Sequence, residues 1–228
     1  MQQNLSKFDP KNSNSINQNY RQKRFNFFLN EFEKIKKLYP EQTIEILDIG
    51  GTKEYWERMG FPKKGDNVRI TLLNLFLNKI ENNEYFDSTT GDATNLIQYS
   101  ENQFHLVYSN SVIEHLYTLD NQKKMAKEVM RVGKNYFVQT PNYWFPIEPH
   151  WVFPFFQYFP ESIKLLITKY TKLGHIGYIK DNEKALDRIR EVRLMNLSEL
   201  KEMFPNANIY NEKAFGLNKS FIAYYSKG

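Results

Sequence analysis

The chain of 228 residues contains no cysteine. Disulfides, thiolate metal sites and a cysteine nucleophile are excluded, and the absence fits a reducing compartment. No run approaches the ~18 uncharged apolar residues of a membrane-spanning helix. The opening stretch, "MQQNLSKFDPKNSNSINQNYRQKRF", lacks an apolar core and is not read as a secretory signal. A cytoplasmic location is expected. The net charge of +5 and a pI near 9.1 invite a nucleic-acid partner, but the lysines are scattered among glutamates, which is an ordinary solvated surface, and that partner is discounted. What is abundant is aromatic: 18 Phe and 15 Tyr, partly gathered in one segment.

The length suits one large domain, or one domain with an insertion. Residues 1–18 are polar and without periodicity, and a mobile tail is expected there, followed by a single domain over 19–228. From Tyr20 to Leu38 the residues Phe25, Phe28, Leu29, Phe32, Ile35 and Leu38 recur at helical steps, predicting an amphipathic helix with basic residues outward, closed by Pro40. Strand-like runs then alternate with helical ones: "TIEILDIG", "NVRITLLNL", "FHLVYSN", a helix with Leu119, Met125, Val129 and Val132 on one face, then "NYFVQTPN". That alternation predicts a parallel sheet in a doubly wound α/β domain. Asn196 and Glu199 form a capping-box pattern ahead of a late helix, and "NIYNEKAFG" with "KSFIAYYS" reads as an antiparallel pair. Residues 141–192 form an insertion. Its first half, "PNYWFPIEPHWVFPFFQYFP", holds five prolines and nine aromatics. Proline so dense fits neither a sheet interior nor a helix core, which predicts a lid-like excursion packed through rings.

The stretch "EILDIGGTKEYWERMG" runs from a buried strand through two glycines into a helix. The third glycine of a dinucleotide fingerprint is missing. Tyr55 would obstruct a pyrophosphate, and Glu54 and Glu57 would repel one. S-adenosylmethionine carries no phosphate; it is a sulfonium with an amino-acid end, and an acidic residue beside a glycine turn suits its ammonium. Asp48, Gly50 and Gly51 supply that arrangement. The same tetrapeptide also serves as a plain strand-to-helix turn, and at this point both readings stand.

Taken in order, "ILDIGG", "ITLLNL", "GDATNL", "FHLVYSNSVIEHL" and "RVGKNYFVQTPN" resemble the class I S-adenosylmethionine-dependent methyltransferases, specifically the methyltransferase type 11 group, over roughly residues 42–142. The closing residues, from "RLMNLSEL" onward, are similar to the C-terminal half of one bacterial branch. The resemblance implies a Rossmann-like, seven-stranded, mostly parallel sheet with an antiparallel last strand, the insertion following strand five. It implies that Asp48, Gly50 and Gly51 line the methionine part of the cofactor. Thr52 stands where most members have a further glycine. Asn74 stands where an acid usually grips the ribose, and an amide bonds hydroxyls without charge assistance. Leu75 and Ala93 would flank the adenine, Asp92 would accept from its amino group, and Ser109 and Asn110 would sit near the methyl. Ser109-Asn110-Ser111-Val112 lacks the Asn-Pro-Pro-aromatic pattern of enzymes that methylate planar amines. Glu114 and His115 are the group's usual pair and read as structural or cofactor-adjacent.

Of the other histidines, His105 reads as packing and His175 as loop. His150, in "PIEPHW", is the candidate general base for O-methylation, with Glu148 to orient it or to serve instead; pinning of the insertion is the competing role. No H-x-x-x-H or carboxylate cluster has ligand spacing, so no metal is expected. The expected reaction is methylation of a hydroxyl on a small-molecule, glycan or lipid-linked acceptor. Lys164, Lys169 and Lys172 on an amphipathic stretch leave peripheral membrane contact open. Two further classes stand beside this: an RNA methyltransferase using Arg21–Arg24 with Lys34, Lys36 and Lys37 as a phosphate track, and a non-catalytic binding module.

Overall fold

The computed structural model describes residues 16–77, 80, 83–174 and 176–227. The expectations for residues 1–15 and for His175 lie outside the described residues. Helix α1 (Ile16–Leu38) begins four residues ahead of Tyr20, so residues 16–18, expected in the tail, belong to the helix instead. The chain then runs β1 (Ile44–Ile49), α2 (Lys53–Met59), β2 (Val68–Asn74), β3 (Phe86–Thr90), β4 (Leu106–Asn110), α3 (Leu119–Val132) and β5 (Tyr136–Pro141). The insertion carries β6 (Ile147–Glu148), β7 (Phe153–Pro154), α4 (Glu161–Tyr170) and α5 (Asn182–Glu191). Helix α6 (Leu197–Met203), β8 (Asn208–Ala214) and β9 (Leu217–Tyr225) close the fold.

Seven strands form one sheet in the order β3-β2-β1-β4-β5-β9-β8. All pairs from β3 to β5 are parallel, whereas β9 runs antiparallel to both β5 and β8. This is the Rossmann-like doubly wound sheet with a reversed last strand. Its order changes direction between β1 and β4, so the carboxyl ends of those two strands open a crevice between them, where such sheets bind ligands. Ile49↔Ser109 is the last register pair there, and Gly50 and Ser111 lie just beyond it.

Alternation along β1 assigns the two faces. Ile44 and Ile46 pack with Phe25, Phe28, Phe32 and Ile35 of α1 and with Trp56, while Leu47 and Ile49 pack with Met125 and Val129 of α3. Asp48 shares the parity of Ile44 and Ile46, so it points to the α1–α2 side. Helix α1 departs from the simple amphipathic expectation at Arg24. That residue lies on the same stripe as Phe28 and Ile35 and is buried, not outward, because Glu212 of β8 waits beneath it. The insertion has its own small core. Trp151 stacks on Phe156 at 4.3 Å, Ile176 and Ile189 close around them, and the Trp151 indole N–H donates to Thr168 Oγ1 at 3.0 Å. Among the described residues no helix is long and apolar enough to cross a membrane.

Candidate active site

A cleft of about 410 Å³ opens at the carboxyl ends of β1, β2 and β4. Gly50, Leu73, Asn74, Leu75, Asp92, Ala93, Val112 and His115 all contribute to its wall, and no lysine or arginine is among the described residues that line it. Gly50 has φ +77°, and a Cβ there would lie 2.5 Å from Val112 Cγ2, so the turn requires glycine for both backbone and space. Its N–H donates to the Leu73 carbonyl at 2.8 Å. At Gly51 a Cβ would fall 1.5 Å from Asp48 Oδ2. The loop lies directly on the carboxylate.

Asp48 is 1 % exposed, and Oδ2 accepts from Trp56 Nε1 at 2.6 Å. Burial pushes its pKa up to about 7, against the Trp56 hydrogen bond that lowers it. It therefore sits behind the loop rather than on the cleft wall. Thr52 explains the absent third glycine. Its backbone is extended (φ −132°, ψ 149°), which any residue adopts, and Oγ1 accepts from the Tyr55 N–H at 3.3 Å as the cap of α2. Tyr55 turns away from the loop to bond the Tyr108 hydroxyl at 2.6 Å. Asn74 donates from Nδ2 to the Gly51 carbonyl at 2.9 Å, tying β2 to the glycine turn. Leu75 is 71 % exposed beside it. Asp92 is exposed, and Oδ1 accepts from the N–H and hydroxyl of Thr94, both at 2.8 Å; Ala93 is buried next to it. Ser109 is buried behind the end of β1, its hydroxyl 3.4 Å from the Ile49 carbonyl. Asn110 Oδ1 accepts from Arg24 Nη1 at 2.6 Å, so α1 reaches the site from the opposite face.

At the His115 side of the cleft, three segments meet. Glu148 is buried; Oε2 accepts from the N–H groups of His150 and Trp151 at 2.7 Å each, and Oε1 accepts from His150 Nδ1 at 2.6 Å. Both oxygens are engaged, so Glu148 orients the imidazole and is not itself placed as a base. Gly174 presses on the same turn, where a Cβ would meet the His150 carbonyl at 2.6 Å. His150 Nε2 faces His115 Nε2 at 3.1 Å, and His115 Nδ1 lies 2.9 Å from Glu191 Oε1 of α5. Burial lowers the pKa of His150, but the bond to Glu148 and its charge outweigh it, and the net direction is upward. That of His115 falls, through burial and the neighbouring His150. Glu114 is 0 % exposed, and burial raises its pKa to about 7. The sequence reads Glu114 and His115 as structural or cofactor-adjacent and carries no signal for Glu191, because nothing local links these segments. His105 packs under Tyr39, its rings 4.4 Å apart, and accepts from the Glu45 N–H, away from the cleft.

The cleft thus has a glycine turn on one wall and the histidine pair at its His115 side. Residues 51–136 match the family described as a methyltransferase domain. Over those 86 of its 228 residues the chain is similar to a methyltransferase domain. Two uncharacterized proteins from strains of Mycobacterium tuberculosis are 32 % identical to it over 78 residues, which is 34 % of this chain and 26 % of theirs. The chain's match thus spans about a quarter of the length of these curated relatives. Among solved structures, a SAM-dependent methyltransferase from Methanosarcina mazei is similar at 14 % identity and TM-score 0.47, covering 83 % of this chain and 95 % of that one. The YcgJ protein of Bacillus subtilis is similar at 17 % identity and TM-score 0.45, covering 80 % and 70 %. The Haemonchus contortus phosphoethanolamine N-methyltransferase 2 bound to S-adenosyl-L-methionine is similar at 14 % identity and TM-score 0.45, covering 87 % and 39 %. The cleft lining is chemically compatible with S-adenosyl-L-methionine: the glycine turn admits a close ligand, no lysine or arginine awaits a phosphate among the described lining residues, and Asp92 places a carboxylate on the wall.

Proposed function

We propose that the protein methylates a hydroxyl on a small-molecule, glycan or lipid-linked acceptor. The observation that carries the reading is the Glu148–His150–His115 chain, whose His115 end shares a cleft wall with Gly50, Asn74 and Asp92. S-adenosylmethionine, when bound, supplies an electrophilic methyl group on sulfur. The chain's own residues do the rest. Gly50, Gly51, Asn74 and Asp92 hold the cofactor, and the insertion covers the cleft's His115 side. His150, fixed by Glu148 as the tautomer with a proton on Nδ1, takes the acceptor's proton on Nε2 once the acceptor's hydroxyl enters between it and His115 Nε2, 3.1 Å away. Holding both reactants in line supplies most of the rate, since effective molarities reach ~10⁵ M or more.

Exposed Trp144, Phe155, Leu166 and Tyr170 on the insertion favour an acceptor with an apolar portion. The RNA reading loses support because Arg24 of the supposed phosphate track is buried on Glu212. The binding-module reading rested on Thr52 and Asn74, and both are used in building the loop.

The test is calorimetric titration with S-adenosylhomocysteine, repeated on Asp92→Ala. A hydrogen bond to a charged group contributes about 1.5–3 kcal/mol. The wild type should bind in the micromolar range, and the variant should weaken at least ~10-fold with unchanged thermal unfolding. A folded wild type that does not bind refutes the enzyme reading. Labelled cofactor with glycan, lipid and amine panels then decides the acceptor atom; transfer to amines alone would overturn the hydroxyl assignment.

A further inference from the structure

The two imidazoles are held in an arrangement that a general base alone does not explain. Both Nδ1 atoms face carboxylates, His150 to Glu148 and His115 to Glu191, and an ionised carboxylate only accepts. Each ring therefore spends its N–H on the outer side. The two Nε2 atoms, 3.1 Å apart, turn lone pairs toward each other. Lone pairs at that distance repel unless something positive lies between them. Beside them stands Glu114, fully buried. Its Oε2 accepts from Thr140 Oγ1 at 3.2 Å, while Oε1 has no hydrogen-bond partner among the described residues. One ligand atom from each of Glu114, His115 and His150 lies within 4.8 Å of the others.

A proton between the imidazoles would satisfy two nitrogens and leave Glu114 Oε1 bare. A metal ion satisfies all three donors at once. Two nitrogens bound to one ion at about 2.1 Å stand about 3.0 to 3.4 Å apart, from octahedral to tetrahedral angles, and the observed separation falls inside that interval. Carboxylates on the far nitrogens of ligating histidines are the usual outer support of such sites, fixing tautomer and ring angle. Glu114, Glu148 and Glu191 set three carboxylates around the cluster, answered by Arg188 on Glu191 and, at longer range, by Arg24 toward Glu114 and Lys164 toward Glu148. His115 lines the cleft, which gives an ion a way in.

We propose that Glu114, His115 and His150 are the ligands of a divalent first-row transition-metal ion beside the cofactor cleft. Two imidazoles and one carboxylate select the manganese-to-zinc series over magnesium or calcium, which prefer oxygen alone. With the ion bound, the two Nε2 lone pairs are committed to it. A hydroxyl coordinated there releases its proton to solvent near neutral pH, so the ion takes over the role given above to His150. That consequence rests on the hydroxyl-methylation reading; binding of the ion does not.

The experiment uses the untagged full chain, stripped with chelator and titrated with Co²⁺ while visible d–d absorption is followed. One equivalent should bind with a coloured, low-symmetry spectrum. His115→Ala, His150→Ala and the shape-conserving Glu114→Gln should each weaken binding ~10-fold or more, the loss typical of disturbing even an outer partner. Glu191→Gln should weaken it less. Thermal unfolding of each stripped variant verifies the fold, and Glu114→Gln remains informative where a histidine variant fails to fold. No cobalt spectrum in the folded wild type, or binding unchanged in the folded variants, overturns the proposal. Titration of the same samples with S-adenosylhomocysteine separates the readings. Binding without a cobalt site leaves the methyltransferase standing without a metal, and a cobalt site without cofactor binding does the reverse.

Discussion

Replacing Arg24 by methionine probes how the N-terminal helix is joined to the site. The guanidinium is 7 % exposed and forks onto Glu212, with Nη2 to Oε2 at 2.8 Å and Nε to Oε1 at 3.2 Å. Its third nitrogen donates to Asn110. Methionine keeps the stem's volume but strands a buried carboxylate and an amide oxygen. Removing one member of a buried pair costs about 3–5 kcal/mol. Ser220, which donates to Oε2 at 2.6 Å, stays, and Lys219 at 3.9 Å can move closer, so the lower end of that range is expected. About 3 kcal/mol corresponds to a fall in Tm of about 6–12 °C for a chain of this size.

The assay is equilibrium urea unfolding of wild type, Arg24→Met, Glu212→Leu and the double variant. The double variant should recover at least half of the loss, because an apolar pair avoids the desolvation of stranded charge. Burial would raise the pKa of Glu212, but Arg24 outweighs it and the net direction is downward. A depressed carboxylate contributes stability that is present above its unfolded pKa and lost as pH falls through the folded one. The gap between wild type and Arg24→Met should therefore be full at neutral pH and shrink in acid. A single variant within about 1 kcal/mol of wild type would refute the reasoning.

Asp48 titrates in the opposite sense: its pKa is raised to about 7, so its contribution is complete below the unfolded carboxylate pKa and lost as pH rises through that value. A shift of about three units is worth about 4 kcal/mol, and Asp48→Asn should gain on the wild type between about pH 5 and about pH 8 in urea unfolding; a flat difference would contradict the burial of this charge. The glycine loop makes a contrasting pair. Gly51→Ala should weaken S-adenosylhomocysteine binding at least ~10-fold, because its Cβ collides with Asp48. Thr52→Gly, at an extended residue, should leave binding within about twofold and lower stability by about 1 kcal/mol or less; a large gain in affinity would mean that the loop does need its third glycine.

Much of the fold was legible because its signals are local. The alternation in "TIEILDIG" and "FHLVYSN", the helical stripe before Val132 and the capping box at Asn196 each depend on residues a few positions apart, and each element formed where expected. Strand β3 had no such signal. Phe86 is its one fully buried residue, and Asp87 to Thr90 are polar, so only the resemblance implied a seventh strand. Helix α5, capped by Asp181, was hidden inside the insertion because it buries only Ala185 and Ile189. The glycine turn was legible in its chemistry but not in its orientation. Strand parity, which depends on which face α1 covers, put Asp48 behind the loop and Trp56 on top of it.

The sequence by itself determined most of the order of strands and helices, β3 and α5 excepted, and the position of the glycine turn, since hydrophobic period, caps and glycine act within a few positions. Tertiary structure alone decided the rest. Arg24 reads as one more surface cation until β8 places Glu212 under it. Glu114 and His115 sit on the turn after β4, His150 lies 35 residues beyond His115, and Glu191 is on a helix further still. Only the insertion, closing on Trp151 and Phe156 as its own small core, brings those donors to one point. Ligand geometry is a matter of ångströms in space, and a chain whose donors come from three separate segments does not record it as a spacing.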